Sequence, residues 1–341
     1  MHFFTYKAFD ALEDRRSEWN DLCAHTASDN PFLTFDYQSI WWQTRGGGEW
    51  PQSSQLVLVA GFEKDKLVGI APLFHANNHL AKPALMFVGA VEVSDFLDFI
   101  AHPADLPEFI HGLLDHLTSD PKIPNWECLD FHNILEDSPT LSVLKQEADQ
   151  RRWTHQQILL QPAPYIPLPT DYDTYLASLD KKQRHEIRRK LRNLAQRPQV
   201  DELKIVDDPQ ALPAETQAFI DLMAQDPNKR DFLTAPMQQH LESTTQVAFN
   251  AGWLQLAFLT LDGQKAAASM AFNYKNRLWL YNSGWEWEFR DFSPGWVLLA
   301  RLIQWAIDNN IEEFDFMRGD EAYKYKFGAV DRHVFRVTLT P

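Results

Sequence analysis

The same order of elements is written twice in this chain, and that repetition limits the folds open to it more than any single motif does. In the first half, residues 11–27 and 35–44 have helical spacing, and residues 56–62 and 66–74 alternate as strands around Glu63-Lys64-Asp65. Residues 106–118 are again helical, and 128–132 read as a strand. In the second half, residues 173–196 and 214–224 are helical, while 253–261 and 265–274 flank Asp262-Gly263, a strong hairpin signal. Residues 277–282 form a further strand, and a helix at 293–309 leads into a strand at 311–317. Helix, helix, hairpin, helix, strand therefore occurs twice. Between the halves, Gln161-Pro162-Ala163-Pro164-Tyr165-Ile166-Pro167-Leu168-Pro169 places four prolines in nine residues. Proline lacks the N–H that helices and sheet ladders need, so this stretch reads as a connection that finishes as an edge strand. The expectation is an α+β fold duplicated in tandem, with domains at 1–163 and 164–341, each a mixed, mostly antiparallel sheet flanked by helices.

Charge and motif content narrow the function. The chain carries 32 basic and 47 acidic residues, a net charge of −15. A general nucleic-acid binder normally shows a basic excess, so no DNA partner is expected. The two cysteines, Cys23 and Cys128, lack metal-ligand spacing and read as reduced thiols of a cytoplasmic protein. The opening Met1-His2-Phe3-Phe4-Thr5-Tyr6-Lys7 has neither the basic nor the sustained apolar region of a signal peptide. No apolar run is long enough to predict a membrane span. The histidines form no HExxH or similar signature, so no metal is expected. The absence of GxSxG, GxxxxGK[ST] and GxGxxG disfavours serine hydrolases, P-loop enzymes and dinucleotide oxidoreductases.

Four constellations carry the remaining polar chemistry. In Phe292-Ser293-Pro294-Gly295-Trp296, Ser293 suits a helix N-cap and Pro294 the first helical position. Gly295 removes a side chain where backbone N–H groups point outward, as a phosphate site requires. The strand at 311–317 runs into Arg318-Gly319-Asp320-Glu321-Ala322-Tyr323-Lys324-Tyr325-Lys326-Phe327-Gly328. There Lys324 and Lys326 could hold phosphate or polarise a carbonyl, Tyr323 or Tyr325 could give a proton to a leaving group, and Asp320 or Glu321 could accept one. The run from Lys181 to Arg197 holds eight of the 32 basic residues in 17 positions, with Arg184, Arg188 and Arg192 on one helical face. Such a face can steer a CoA phosphate, a nucleotide sugar or an acidic lipid. Finally, Asp95 and Asp98 sit among apolar residues in Val93-Ser94-Asp95-Phe96-Leu97-Asp98-Phe99, a setting that suits a base or a hydrogen-bond anchor.

The terminal segment from Phe314 to Gly328 resembles the closing motif of the CelD-like, or cellulose-biosynthesis-type, branch of the GNAT acetyltransferase superfamily, relatives of the FemABX peptidyltransferases. Leu179-Asp180-Lys181-Lys182-Gln183-Arg184-His185-Glu186-Ile187-Arg188-Arg189-Lys190 and Ser293-Pro294-Gly295 are similar to the same branch. Asn30-Pro31-Phe32-Leu33, Leu67-Val68-Gly69-Ile70-Ala71-Pro72-Leu73 and Ser94-Asp95-Phe96-Leu97-Asp98 resemble its first domain. The resemblance implies a tandem GNAT fold, acyl-CoA (most simply acetyl-CoA) as donor, and an amine or hydroxyl of a small molecule or of a cell-envelope or polysaccharide precursor as acceptor. In Fem-type enzymes a lysine just before the final Phe-Gly lies near the substrate; Lys324 best matches it, with Lys326 as the alternative. The implied catalytic set is Lys324, Tyr323 and Asp320. The implied donor set is Ser293, Pro294, Gly295 and Trp296, and the implied acceptor set is Asp95, Asp98, Arg184, Arg188, Arg318 and Lys326. Ser293-Pro294-Gly295-Trp296 lacks the full glycine-rich signature of standard GNAT enzymes. Two other readings therefore stand beside acyl transfer: a Fem-like transferase using aminoacyl-tRNA, and a non-catalytic scaffold. Peripheral contact with a membrane is compatible with each.

Overall fold

The structure, a computed structural model, describes residues 1–195 and 201–341. Its strands are β1 (His2–Tyr6), β2 (Gln55–Glu63), β3 (Lys66–Asn77), β4 (Pro83–Phe87), β5 (Ile100–Ala101), β6 (Cys128–Leu135), β7 (Thr154–Pro162), β8 (Tyr165–Pro167), β9 (Asp201–Ile205), β10 (Leu254–Leu261), β11 (Gln264–Tyr274), β12 (Arg277–Trp285), β13 (Glu313–Asp315) and β14 (His333–Thr340). Its helices are α1 (Arg16–Cys23), α2 (Phe35–Gly48), α3 (Leu106–Ser119), α4 (Thr140–Arg151), α5 (Tyr172–Ser178), α6 (Lys181–Ala195), α7 (Leu212–Met223), α8 (Pro227–Phe232), α9 (Ala235–Asn250), α10 (Pro294–Asp308) and α11 (Ala322–Lys326). Among the described residues no helix is long and apolar enough to cross a membrane. The chain divides into two units, Met1–Pro162 with Arg332–Pro341, and Ala163–Asp331.

The first unit is built on a sheet ordered β1-β2-β3-β4-β6-β14-β7, with β5 pairing β3. Its neighbours are antiparallel except β4 and β6. The hairpin of β2 and β3 forms where the sequence placed it, but both strands are buried along nearly their whole length. Gly69 is part of the reason α3 can lie on this sheet: a Cβ there would sit 2.2 Å from the Phe109 ring. The last ten residues depart from the expected boundary of 164–341, because β14 inserts between β6 and β7. Val334, Val337 and Leu339 are fully buried, and Arg336 donates two 2.7 Å hydrogen bonds to Asp130 on β6. The strand belongs where its apolar face and its ion pair are satisfied.

The second unit has a sheet ordered β8-β13-β12-β11-β10-β9, with β8 at one edge as the proline-rich stretch anticipated. Helices α5, α6 and α10 share a core with Ala257, Leu259 and Leu261 of β10. On the opposite face α9 packs, with Thr245 Oγ1 3.6 Å from Met270 Sδ. Two sequence expectations are corrected here. The single helix at 173–196 is two, because Leu179 is extended (ψ 153°) and the Asp180 carboxylate accepts from Gln183 N at 2.9 Å to start α6. Gln196 and Arg197 lie outside the described residues. The strand at 311–317 contracts to β13, because Met317 turns to φ +60° and its N–H donates to the Asp315 carboxylate at 2.6 Å.

That contraction shapes the unit. β12 runs parallel to β13 only over residues 277–279, yet stays paired with β11 as far as Trp285. Tyr281 is the extra residue of a bulge in β12, opposite Met270 and Ala271. Over residues 280–285 one edge of β12 therefore has no strand beside it among the described residues.

Candidate functional site

A cavity of about 230 Å³ lies against this unpaired edge. Ser283, Gly284 and Trp285 of β12 line it, Gly295 and Trp296 come from the start of α10, and Tyr323 from α11. Two buried polar atoms of its wall, Ser269 Oγ and Trp296 Nε1, find no hydrogen-bond partner among the described residues. Each has hydrogen-bonding capacity left for a polar group in the cavity.

The start of α10 differs in detail from the expected cap. Pro294 takes the first turn, and the Ser293 carbonyl accepts from Trp296 N and Val297 N at 3.0 and 3.1 Å. Ser293 itself is left-handed (φ 52°), and its hydroxyl does not cap the helix; it accepts from Lys190 Nζ at 2.7 Å. Lys190 also lies 5.1 Å from the centre of the Trp296 ring. Gly295 is not required by crowding, since a Cβ there would meet only Trp285, at 3.7 Å. Its lack of a side chain keeps the helix start open around its own N–H, while Pro294 has no N–H and those of Trp296 and Val297 go to the Ser293 carbonyl.

The basic helix α6 contributes a face other than the expected one. Arg184 donates to the Ala177 carbonyl at 3.3 Å, and Arg188 and Arg192 are exposed. Lys182, Arg189 and Lys190 instead line a groove beside Trp296, together with Lys326 and with Glu186, whose carboxylate pairs with Arg189 at 2.8 Å and Lys190 at 3.6 Å. Cationic side chains next to an open helix start form a setting for a polyanion.

The closing motif splits by role. Lys324 is 2% exposed, and its amine donates to the carbonyls of Met317, Arg318 and Gly319 at 3.2, 2.8 and 3.0 Å and pairs with Glu321 at 2.9 Å. Its charge is committed to holding the loop after β13. Of the two lysines, Lys326 is the one that lines the groove, 6.0 Å from the Trp296 ring. Tyr323 lines the cavity, and burial, with Glu321 nearby, holds its phenol above the ordinary tyrosine value, hence protonated at neutral pH. Tyr325 points elsewhere, donating to Asp331 at 2.8 Å. Arg318 is half-buried and Asp320 exposed on the same loop.

In the first unit, Asp98 is almost fully buried and accepts from Ser28, Ser138, Thr140 and Phe99 N at 2.5–2.8 Å. It is an anchor for three chain segments, and burial pushes its pKa up against those hydrogen bonds. Asp95, half-buried in the same segment, belongs to that unit as well. Among the described residues no three His, Cys, Asp or Glu side chains gather as a metal ion would require.

Lys190, Ser269, Gly284 and Trp285 escaped the sequence reading. One signal was present: a glycine inside a strand marks a close backbone approach. At Gly284 a Cβ would lie 2.4 Å from the backbone of Leu222 and Met223, where α7 ends.

Residues 181–325 match the family described as acetyltransferase (GNAT) domain, a span that opens with α6 and closes inside α11. Among solved structures, that of FemX is 12% identical and covers 98% of this chain and 97% of its own, with a TM-score of 0.65. Over residues 181–325 the chain is similar to the GNAT acetyltransferase domain. A conserved protein from Bacteroides thetaiotaomicron, 12% identical, matches over 100% of both chains at a TM-score of 0.61. The structure of L-PGS from Bacillus licheniformis, 10% identical, covers 83% of each at 0.53. No curated protein sequence matches. At these identities the structures speak for the fold alone, and the expected α+β architecture of two sheets flanked by helices is the one they share with this chain.

Proposed function

We propose that the second unit transfers an acyl group from an acyl-CoA to an amine or hydroxyl of a small molecule or a cell-envelope or polysaccharide precursor. The observation that carries this reading is the unpaired edge of β12, lying over an open helix start and beside a cavity with two unsatisfied polar atoms. The CoA phosphates would lie along Lys182, Arg189, Lys190 and Lys326, with the pyrophosphate at Gly295. The thioester carbonyl would take its hydrogen bonds from β12 backbone N–H groups, which have no strand partner on that side. Tyr323, protonated at neutral pH, would return a proton to the departing thiolate. Lys324 would act through the loop it holds. Much of the rate would come from positioning the two substrates across the strand.

Calorimetric titration with acetyl-CoA, longer acyl-CoAs and free CoA tests this. Saturable binding, a matching rise in Tm, and weakening by Gly295→Glu are expected. No binding at millimolar ligand would overturn the acyl-CoA reading. Fem-like transfer from aminoacyl-tRNA has the basic groove of α6 in its favour, and salt-sensitive binding of charged tRNA would then be expected.

A further inference from the structure

Each sheet ends in two edge strands, and three of these four edges are guarded. β1 and β8 are short, at five and three residues, and β8 ends on Pro167. β9 carries Asp201, Glu202 and Lys204 within its five residues. Short length, proline and charge are the devices that stop a free edge from pairing with another chain. β7 has none of them before its last residue. It runs for nine residues without an Asp, Glu, Lys or Arg. Among the described residues it pairs only with β14. Ile158, Leu159 and Leu160 are 38, 54 and 37% exposed, and successive residues of a strand point to opposite faces, so apolar surface shows on both. Leu160 is the extra residue of a bulge against β14, which leaves 154–159 as the regular stretch.

The surroundings of this strand are balanced in charge on a chain of net charge −15. Helix α4 packs against β7. The exposed charged side chains along α4 are Lys145 and Asp149, of opposite sign and paired at 2.8 Å. Both lie near enough to His155 of β7 to act on its charge. Burial, followed by Lys145, holds His155 below the ordinary histidine value, hence neutral at pH 7. Two copies of an acidic molecule can approach along such a strip without like-charge repulsion. The strand also suits its own sequence. Gln156 and Gln157 are exposed, and an amide both donates and accepts, so each can satisfy a copy of itself.

We propose that β7 pairs antiparallel with β7 of a second copy of this chain, about a two-fold axis perpendicular to the sheet, so that the two first units share one continuous sheet. Such an axis returns every residue to its own face. Ile158 and Leu159 then gain cross-strand neighbours and leave water. The assembly closes at two, because the pairing uses the same edge of both copies.

Light scattering after gel filtration of the full chain tests this. A dimer is expected at about 100 µM, a concentration at which even a weak pair is populated, with no larger species. Ile158→Lys and Leu159→Lys set like charges about the axis and should each raise the dimer dissociation constant at least about 100-fold. Phe4→Lys, on the exposed edge β1 of the same sheet, should leave it within about threefold. All three side chains are exposed, so the circular dichroism of each variant should match the wild type. Of single cysteines placed at Gln156, Gln157 and Ile158, the one on the axis should join two chains on oxidation, whereas the buried Cys23 and Cys128 should not. A monomer at about 100 µM, a dimer that survives both lysines on β7, a dimer lost with Phe4→Lys, growth beyond two copies, or no cross-link at any of the three cysteines would each overturn the proposal.

Discussion

In the first unit the parallel strand pair is β4 with β6, in register at Ala84–Cys128 and Leu85–Leu129; in the second it is β12 with β13. Each pair is brief, and each leaves a wedge where the strands stop pairing. The first unit fills its wedge. Phe87 stacks on Phe131 at 4.5 Å, Phe99 lies against both at 4.9 and 5.2 Å, and Asn133 Nδ2 donates to the carbonyls of Val91 and Ser94 at 2.9 Å. The second unit lines its wedge with Trp285, Trp296 and Tyr323 and leaves about 230 Å³ between them. The same order of elements thus yields a filled wedge in one copy and a recess in the other. The choice rests on a few side chains, because backbone pairing stops early in both.

This contrast can be broken by substitutions of graded size. Phe131→Ala should cost about 4 kcal/mol, since the aromatic plug cannot collapse around the gap; urea unfolding should register it while acyl-CoA affinity holds. If affinity falls instead, the first wedge is not merely structural. Arg336→Leu should cost about 3 kcal/mol by leaving the buried Asp130 carboxylate without its partner. Burial alone would raise the Asp130 pKa, but His132 and Arg336 hold it well below the usual carboxylate range. A carboxylate depressed in the folded state stabilises above its unfolded pKa, and that stability fades as pH falls below about 4. In Arg336→Leu that acid limb should move to higher pH, as a Tm series across pH would reveal.

Effects in the second unit should be smaller on stability and larger on ligand. Lys324→Met leaves three loop carbonyls without their donor and should cost about 2 kcal/mol, with proteolysis appearing first after β13. Gly295→Glu should leave Tm unchanged, because the space above it is open, and weaken acyl-CoA about tenfold, or about 1.4 kcal/mol. A loss of Tm in that variant would mean the helix start is packed rather than open.

The repeated order of elements, both hairpins and the start of α10 were legible because periodicity, Asp262-Gly263 and Pro294 are local signals. Strands β1, β7 and β14 were not, since their pairing partners lie far away in sequence. The site was half legible. Gly295, Trp296 and Tyr323, singled out in the sequence, line the cavity, and Lys326 lines the groove. Lys324 has the right residue type but spends its amine on three carbonyls of its own loop, a fact of geometry that no motif encodes. The arginine face of α6 was misjudged because charge spacing fixes which residues share a face, and packing against α10 decides which face matters. Lys229, whose amine donates to Asn282 Oδ1, carried no signal at all, because the two lie 53 residues apart in sequence.

The place of β14 bears on the order in which the molecule is made. The strand closes the sheet of the first unit, since among the described residues β7 has no other neighbour in it. During synthesis the first 162 residues therefore wait with an incomplete sheet while the whole of the second unit emerges and can close on itself. The unit that begins first finishes last. A ribosome pausing late in the message would hold a chain whose recess is already built and whose first sheet still lacks a strand.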